Sequence, residues 1–243
     1  SDLRRQRQMC IRDSFKTGEY SEQDLVRFDC FRVAKDKQRL SERIISLCDG
    51  EDSGSKYFWE LTSQILIYSA NRIPEISDDI VNIDNAMKWG FGWDAGPFEM
   101  WDMIGVQKST NRMRAEGKKI PEWVTEMLSL GRESFYSIDS GVKTYWSPKG
   151  NSAVTIDQNP QIFNLALNKS GGHTLKRDLS ASVNDIGDGI LNVEFHSILQ
   201  PRLNPIDSSY VEMINHALDL IDEGKYQAVV IGHEGANFSA GAN

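Results

Sequence analysis

The sequence "VVIGHEGANFSAGAN" sets an apolar run, a turn and a cluster of small residues in succession. Small side chains at Ala240, Gly241 and Ala242 let an oxygen approach the backbone, and a fixed N–H there can stabilise a developing oxyanion. His233 and Glu234 are an acid–base pair by residue type, but their place between strand and turn fits a solvated turn. Glu99 and Asp102 fall at i, i+3 in "PFEMWDMIG", so both carboxylates share one helix face. A catalytic pair has that form. Charge–dipole stabilisation near a helix start, with an arginine partner, accounts for them more simply.

Glycines offer two decoys. "GFGWDAG" places Gly90, Gly92 and Gly96 in a pattern close to a dinucleotide fingerprint, but a helix rather than a strand precedes it. It reads as a helix–helix turn. "GHEGANFSAGAN" follows a strand but lacks the GK[ST] of a phosphate loop.

Composition narrows the partners. A formal net charge of −8 argues against nucleic acid, whose phosphates need a clustered basic surface. The one basic cluster, Arg4, Arg5 and Arg7, reads as the solvated face of a first helix. No apolar run approaches the about 18–20 residues of a membrane span. Cys10, Cys30 and Cys48 are odd in number and widely spaced, which fits reduced thiols in a cytoplasmic protein. His173, His196, His216 and His233 include no HxxxH pair, and no metal is expected.

The elements that must position these residues follow two grammars. Residues 1–131 read as successive helices. In "SKYFWELTSQILIYSANRI", Phe58, Leu61, Ile65 and Tyr68 form a stripe expected to face the core. "SDDIVNIDNAMKWG" is expected to be capped by Ser77 and to exit at Gly90. Pro97 and Pro121 each open a helix, and Trp89, Trp93, Phe98 and Trp101 read as helix-packing core. Residues 132–182, rich in Ser, Gly and Pro, read as linker and short strands.

From 183 to 243 the pattern is strand, helix, strand. "GILNVEFHS" alternates, with Leu191, Val193 and Phe195 on one face. The following helix carries a Ser209–Glu212 capping box and a buried side of Val211, Ile214, Leu218 and Ile221. "YQAVVIG" reads as a strand covered on both faces. The fold expected is therefore an all-α domain followed by an α/β unit of βαβ type.

Two stretches carry a resemblance. "NRIPEISDDIVNIDNAMKWGFGWDAGPFEMWDMIGV" resembles the C-terminal helical domain of 3-hydroxyacyl-CoA dehydrogenases, with its D-x-A-M-K-x-G-x-G…G-P-F-E-x-x-D-x-x-G pattern. "NDIGDGILNVEFHS…NPID…YQAVVIGHEGANFSAGAN" resembles the start of an enoyl-CoA hydratase domain of crotonase type. Dehydrogenase followed by hydratase is similar to a class of bifunctional fatty-acid β-oxidation proteins, and both ends read as those of an internal fragment.

The resemblance implies a function for the closing turn. Ala242 would give one of two backbone N–H groups to a thioester oxygen, with Ala240 and Gly241 shaping the turn. Arg202 and Asn204 lie in the loop where crotonases hold coenzyme A, although "ILQPRLNPID" is longer than usual and carries Pro205 where Ala is typical. His196, at the strand end beside it, reads as a histidine held by hydrogen bonds. Asn71-Arg72 matches a pair that lies near substrate in a first helical copy, and this copy resembles a second, structural one.

The resemblance further implies an acyl-CoA substrate and NAD for a parent dehydrogenase, bound outside this chain. The chain by itself is expected to lack a complete catalytic set. The rival reading is a non-catalytic helical assembly module with a degenerate acyl-CoA fold, forming a homo-oligomer through its helical domain.

Overall fold

The computed structural model describes residues 27–159, 161–201, 203–235 and 237–241. Among the described residues seven helices come first: α1 (Asp29–Asp36), α2 (Leu40–Asp49), α3 (Ser53–Asn71), α4 (Ile80–Phe91), α5 (Pro97–Ile104), α6 (Val106–Ala115) and α7 (Glu122–Ser129). Their ends follow local chemistry. Asp52 caps α3, one carboxylate oxygen accepting the Ser55 amide at 2.7 Å and the other the Cys30 amide at 2.8 Å, which ties α1 to α3. Asp79, not Ser77, caps α4 by accepting the Asn82 amide, while the Ser77 hydroxyl donates to the Asp79 carbonyl. The helix leaves at Gly92 with φ 66°, two residues past the expected exit, because a left-handed C-cap needs a residue without Cβ. Pro97 opens α5 at its first position, where a missing N–H costs nothing.

Trp59, Leu66, Phe98, Trp101, Met113 and Met127 are buried in one core. The helix stripes were legible, but not which stripe is buried. On α3 the inward face is Ser55, Trp59, Thr62, Ser63, Leu66, Ser69 and Ala70, while Leu61 and Tyr68 of the expected core stripe are 45% and 61% exposed. Trp89 is likewise 81% exposed rather than packed. Cys30 and Cys48 are buried free thiols, with Cys48 pushed up to about 12 by burial; Cys10 lies outside the described residues.

Three strands follow, β1 (Tyr136–Asp139), β2 (Val142–Ser147) and β3 (Ser152–Thr155), paired antiparallel in that order. This stretch is more than a linker. Phe135 is fully buried, its ring 5.1 Å from Phe98 and 5.2 Å from Trp101, and Trp146 joins the same core. The edge-to-face contact of Phe135 with Phe98 adds about 0.5–1.5 kcal/mol beyond burial.

The remaining elements are α8 (Leu165–Ser170), β4 (Thr174–Arg177), β5 (Ala181–Asp185), β6 (Ile190–Phe195), α9 (Ser208–Asp222) and β7 (Ala228–Ile231). Strands β4, β5 and β6 pair antiparallel, and β7 adds parallel to β6, with Val193 opposite Ile231. A parallel pair needs a crossover, and α9 supplies it. Ala181, Val183, Leu191, Val193 and Phe195 form one sheet face against Tyr210, Met213 and Ala217 of α9. Here the expected stripe holds only in part: Ile214 packs against this core, while Val211 and Leu218 are exposed and the Tyr210 ring stacks on Phe195. Asp207, not a Ser209–Glu212 box, caps α9 by accepting the Ser209 amide. β7 is an edge strand, with Val230 and Ile231 half exposed rather than covered on both faces. Among the described residues no helix is long and apolar enough to cross a membrane.

Candidate functional site

In a parallel βαβ unit the loops leaving the carboxyl ends of both strands lie side by side, the usual place for a ligand in α/β sheets. Here those loops run from His196 to Asp207 and from Gly232 onward. They are sewn together. The Ala240 amide donates to the Leu203 carbonyl at 2.7 Å, and the Ile206 amide to the Gly241 carbonyl at 2.9 Å. Gly241 adopts φ 106°, open to glycine and strained for other residues, and its amide donates to Ser239 Oγ at 3.0 Å.

Asn204 lies between the loops, 3% exposed and at φ 45°. Its Oδ1 accepts the Ser197 amide at 2.9 Å, and its Nδ2 donates to the carbonyls of Phe195 at 3.1 Å and Phe238 at 2.9 Å. Asn204 was read as a substrate contact; here both of its amide donors are engaged by backbone carbonyls. Ala240 and Gly241 bond to Leu203 and Ile206 on either side of Asn204, and their own amides are engaged within the chain. Arg202 and Ala242 lie outside the described residues.

His233 and Glu234 do not pair. His233 Nδ1 accepts the Gly235 amide at 2.7 Å, so Nε2 carries the proton and donates to the Phe238 carbonyl at 3.1 Å. Glu234 accepts the Leu165 amide at 2.7 Å, at the start of α8. His196 is held through its backbone by the Ser180 carbonyl, yet both ring nitrogens are buried without a hydrogen-bond partner among the described residues. Burial pushes its imidazole below the ordinary range, toward the neutral form.

The second cluster lies in the helices. Asp84 of α4 reaches the first turn of α5, accepting the amides of Phe98 at 2.8 Å and Glu99 at 3.0 Å, and the Tyr136 hydroxyl at 2.8 Å. Asp102 accepts the amides of Phe135 and Tyr136 at 2.7 and 2.8 Å. Burial pushes both carboxyls up to about 6 against the opposing pull of these hydrogen bonds. Glu99 accepts the Gly96 amide at 3.0 Å and pairs with Lys88 at 2.8 Å, a lysine rather than the expected arginine. These carboxylates hold helices and strand in register instead of facing a substrate. Asp84 was not singled out as a site residue, although it is the first residue of the D-x-A-M-K pattern, twelve residues before Gly96.

Between α3 and α4 runs an apolar groove of about 1100 Å³, lined by Leu61, Ile65, Tyr68, Ile83, Met87 and Trp93. Arg72 sits at its end, paired with Glu75 at 2.6 Å and lying over the Tyr68 ring at 4.9 Å.

The helices from the end of α3, the Asp84–Gly96 junction and the Phe135 strand make one continuous unit. Residues 66–144 match the family model of the 3-hydroxyacyl-CoA dehydrogenase, C-terminal domain. The chain as a whole is similar to a Bacillus subtilis protein named "Probable 3-hydroxyacyl-CoA dehydrogenase", 36% identical over 224 residues, which is 92% of this chain and 28% of the relative. It is also similar to a Rickettsia felis protein named "Putative fatty acid oxidation complex trifunctional enzyme", 26% identical over 77% of this chain and 22% of the relative. The chain thus spans about a quarter of the length of these curated relatives. No solved structure matches it.

The Gly90–Gly96 stretch does not form a dinucleotide site. Gly90 lies within α4, Gly92 ends it and Gly96 caps α5, so a helix stands where a nucleotide fold has a strand. Among the described residues no group of three or more His, Cys, Asp or Glu side chains could hold a metal ion.

Proposed function

We propose that this chain is part of a fatty-acid β-oxidation enzyme of the cytoplasm, a 3-hydroxyacyl-CoA dehydrogenase joined to an enoyl-CoA hydratase of crotonase type. The observation that carries the reading is the likeness to the Bacillus protein over 92% of the chain, which extends through both the helical unit and the mixed sheet. Phe135 and Trp146, in the stretch read as linker and short strands, pack into the core of the helical unit.

In this reading the sewn loops hold the thioester. Hydration of a conjugated thioester develops charge on the carbonyl oxygen, and the Ala242 N–H is one donor to it, carried on the turn that Ala240 and Gly241 shape. Arg202 offers a planar fork of donors to coenzyme A phosphate. NAD serves the dehydrogenase from residues other than those described.

Titration calorimetry of the chain with crotonyl-CoA and with coenzyme A tests the reading. Binding of both, tighter for the thioester and without turnover, is expected. Absence of binding overturns it.

A specific observation favours the rival class, a helical assembly module that oligomerises. Apolar surface stays uncovered in the α3–α4 groove, at Trp89 and along β7. Sedimentation at several concentrations separates the two: a tight oligomer indifferent to coenzyme A supports the module.

A further inference from the structure

We infer that Asn204 is a positioning residue that fixes the Phe238–Gly241 turn against the end of β6, the turn to which the proposed function gives the thioester oxygen. The inference rests on the oxyanion reading of that turn. Four geometric facts carry it. The side chain bonds both the strand end, through Phe195 and Ser197, and the turn, through the Phe238 carbonyl. Its neighbours Leu203 and Ile206 bond Ala240 and Gly241 through the backbone, one on each side of it. The residue is 3% exposed, so water cannot replace these bonds cheaply. Its φ of 45° is a conformation that asparagine tolerates better than other side chains.

Asparagine fits the position by its inventory. It supplies two donors for two carbonyls and one acceptor for one amide in a single planar group. Aspartate has the same shape and no donors, so its carboxylate would face the Phe195 and Phe238 carbonyls. Glycine keeps the backbone conformation and removes the stitch.

The test uses the full chain with Asn204→Asp, Asn204→Gly and, as a control for general destabilisation, Met213→Ala in the sheet core. Two quantities are read: amide hydrogen exchange at Ala240 and Ile206, and the ratio of affinities for crotonyl-CoA and coenzyme A. Both Asn204 variants are expected to speed exchange at Ala240 and Ile206 at least about tenfold relative to Val193. They are expected to abolish the thioester preference while coenzyme A binds within about twofold of its original affinity. Met213→Ala is expected to lower the melting temperature without either change. Unaltered exchange at Ala240 and Ile206, or an unaltered thioester preference, overturns the inference. If the original chain shows no thioester preference, the acyl-CoA reading falls, and exchange at those two amides still decides the role of Asn204.

Discussion

Gly96 packs so closely on Asp84 that a Cβ added to the glycine would overlap the aspartate's Cα, Cβ and Cγ. The contact lets the Asp84 carboxylate reach the amides of Phe98 and Glu99 from the neighbouring helix. Because backbone is among the overlapped atoms, a rotamer change cannot relieve the clash. Gly96→Ala is therefore expected to cost at least about 2 kcal/mol, well above the usual preference of helix ends for one small residue over another. Urea unfolding of the variant measures it. A cost under about 0.5 kcal/mol would mean that α4 and α5 separate freely.

Asp84 and Asp102 also fix the sign of a pH dependence. Both carboxyls sit near 6 in the folded chain, above the ordinary carboxylate range, because burial disfavours their charge. Between about pH 4 and 6 the folded state thus binds more protons than the unfolded state, and stability falls as pH rises through that window. Above about pH 6 both states are ionised and the contribution is flat. Asp84→Asn or Asp102→Asn is expected to remove from the pH 4–6 window a negative slope of up to about 1.4 kcal/mol per pH unit per group. Unfolding midpoints of original and variant chains at pH 4.5 and pH 7 test this, and identical slopes would refute it.

Much of the helical unit was legible because its punctuation is local. Pro97 acts within one turn of chain, so the sequence shows it directly, whereas the caps went to Asp79 and Asp207 in place of the serines expected beside them. What the sequence could not show is the choice between two apolar stripes on one helix. On α3, Leu61 and Tyr68 have the right spacing for a core face, yet Trp59 and Leu66 take it; on α9, Met213 and Ala217 displace Val211 and Leu218. Periodicity gives a stripe's existence, and only the partner surface gives its direction. The same limit hid the bonds of Asp84 and Asn204, which join positions 14 and 34 residues apart.

The inverted faces of α3 give a direct contrast. Leu66 is fully buried, and Leu66→Ala is expected to cost about 2–5 kcal/mol through lost transfer energy and a cavity. Leu61→Gln and Tyr68→Gln, on the exposed groove side, are expected to stay within about 1 kcal/mol. Thermal and denaturant unfolding of the three variants settle the order. A Leu61→Gln loss matching that of Leu66→Ala would show the groove to be closed in solution.

On the face of the mixed sheet away from α9, Lys169 donates to both oxygens of Glu194 at 2.8 Å, and Ser182 Oγ donates to the same carboxylate at 3.0 Å. The burial is unequal: the Glu194 side chain is 8% exposed and the Lys169 side chain 30%. Removing the lysine strands a carboxylate with little water, whereas removing the charge of Glu194 leaves an ammonium that can turn toward solvent. Lys169→Met is therefore expected to cost about 2–3 kcal/mol and Glu194→Gln about 1 kcal/mol. In the double variant the Ser182 bond survives and no charge is stranded, so it is expected to be more stable than Lys169→Met by itself. A double-mutant cycle in urea measures the coupling. Strict additivity would show that Glu194 stays hydrated when its partner is gone.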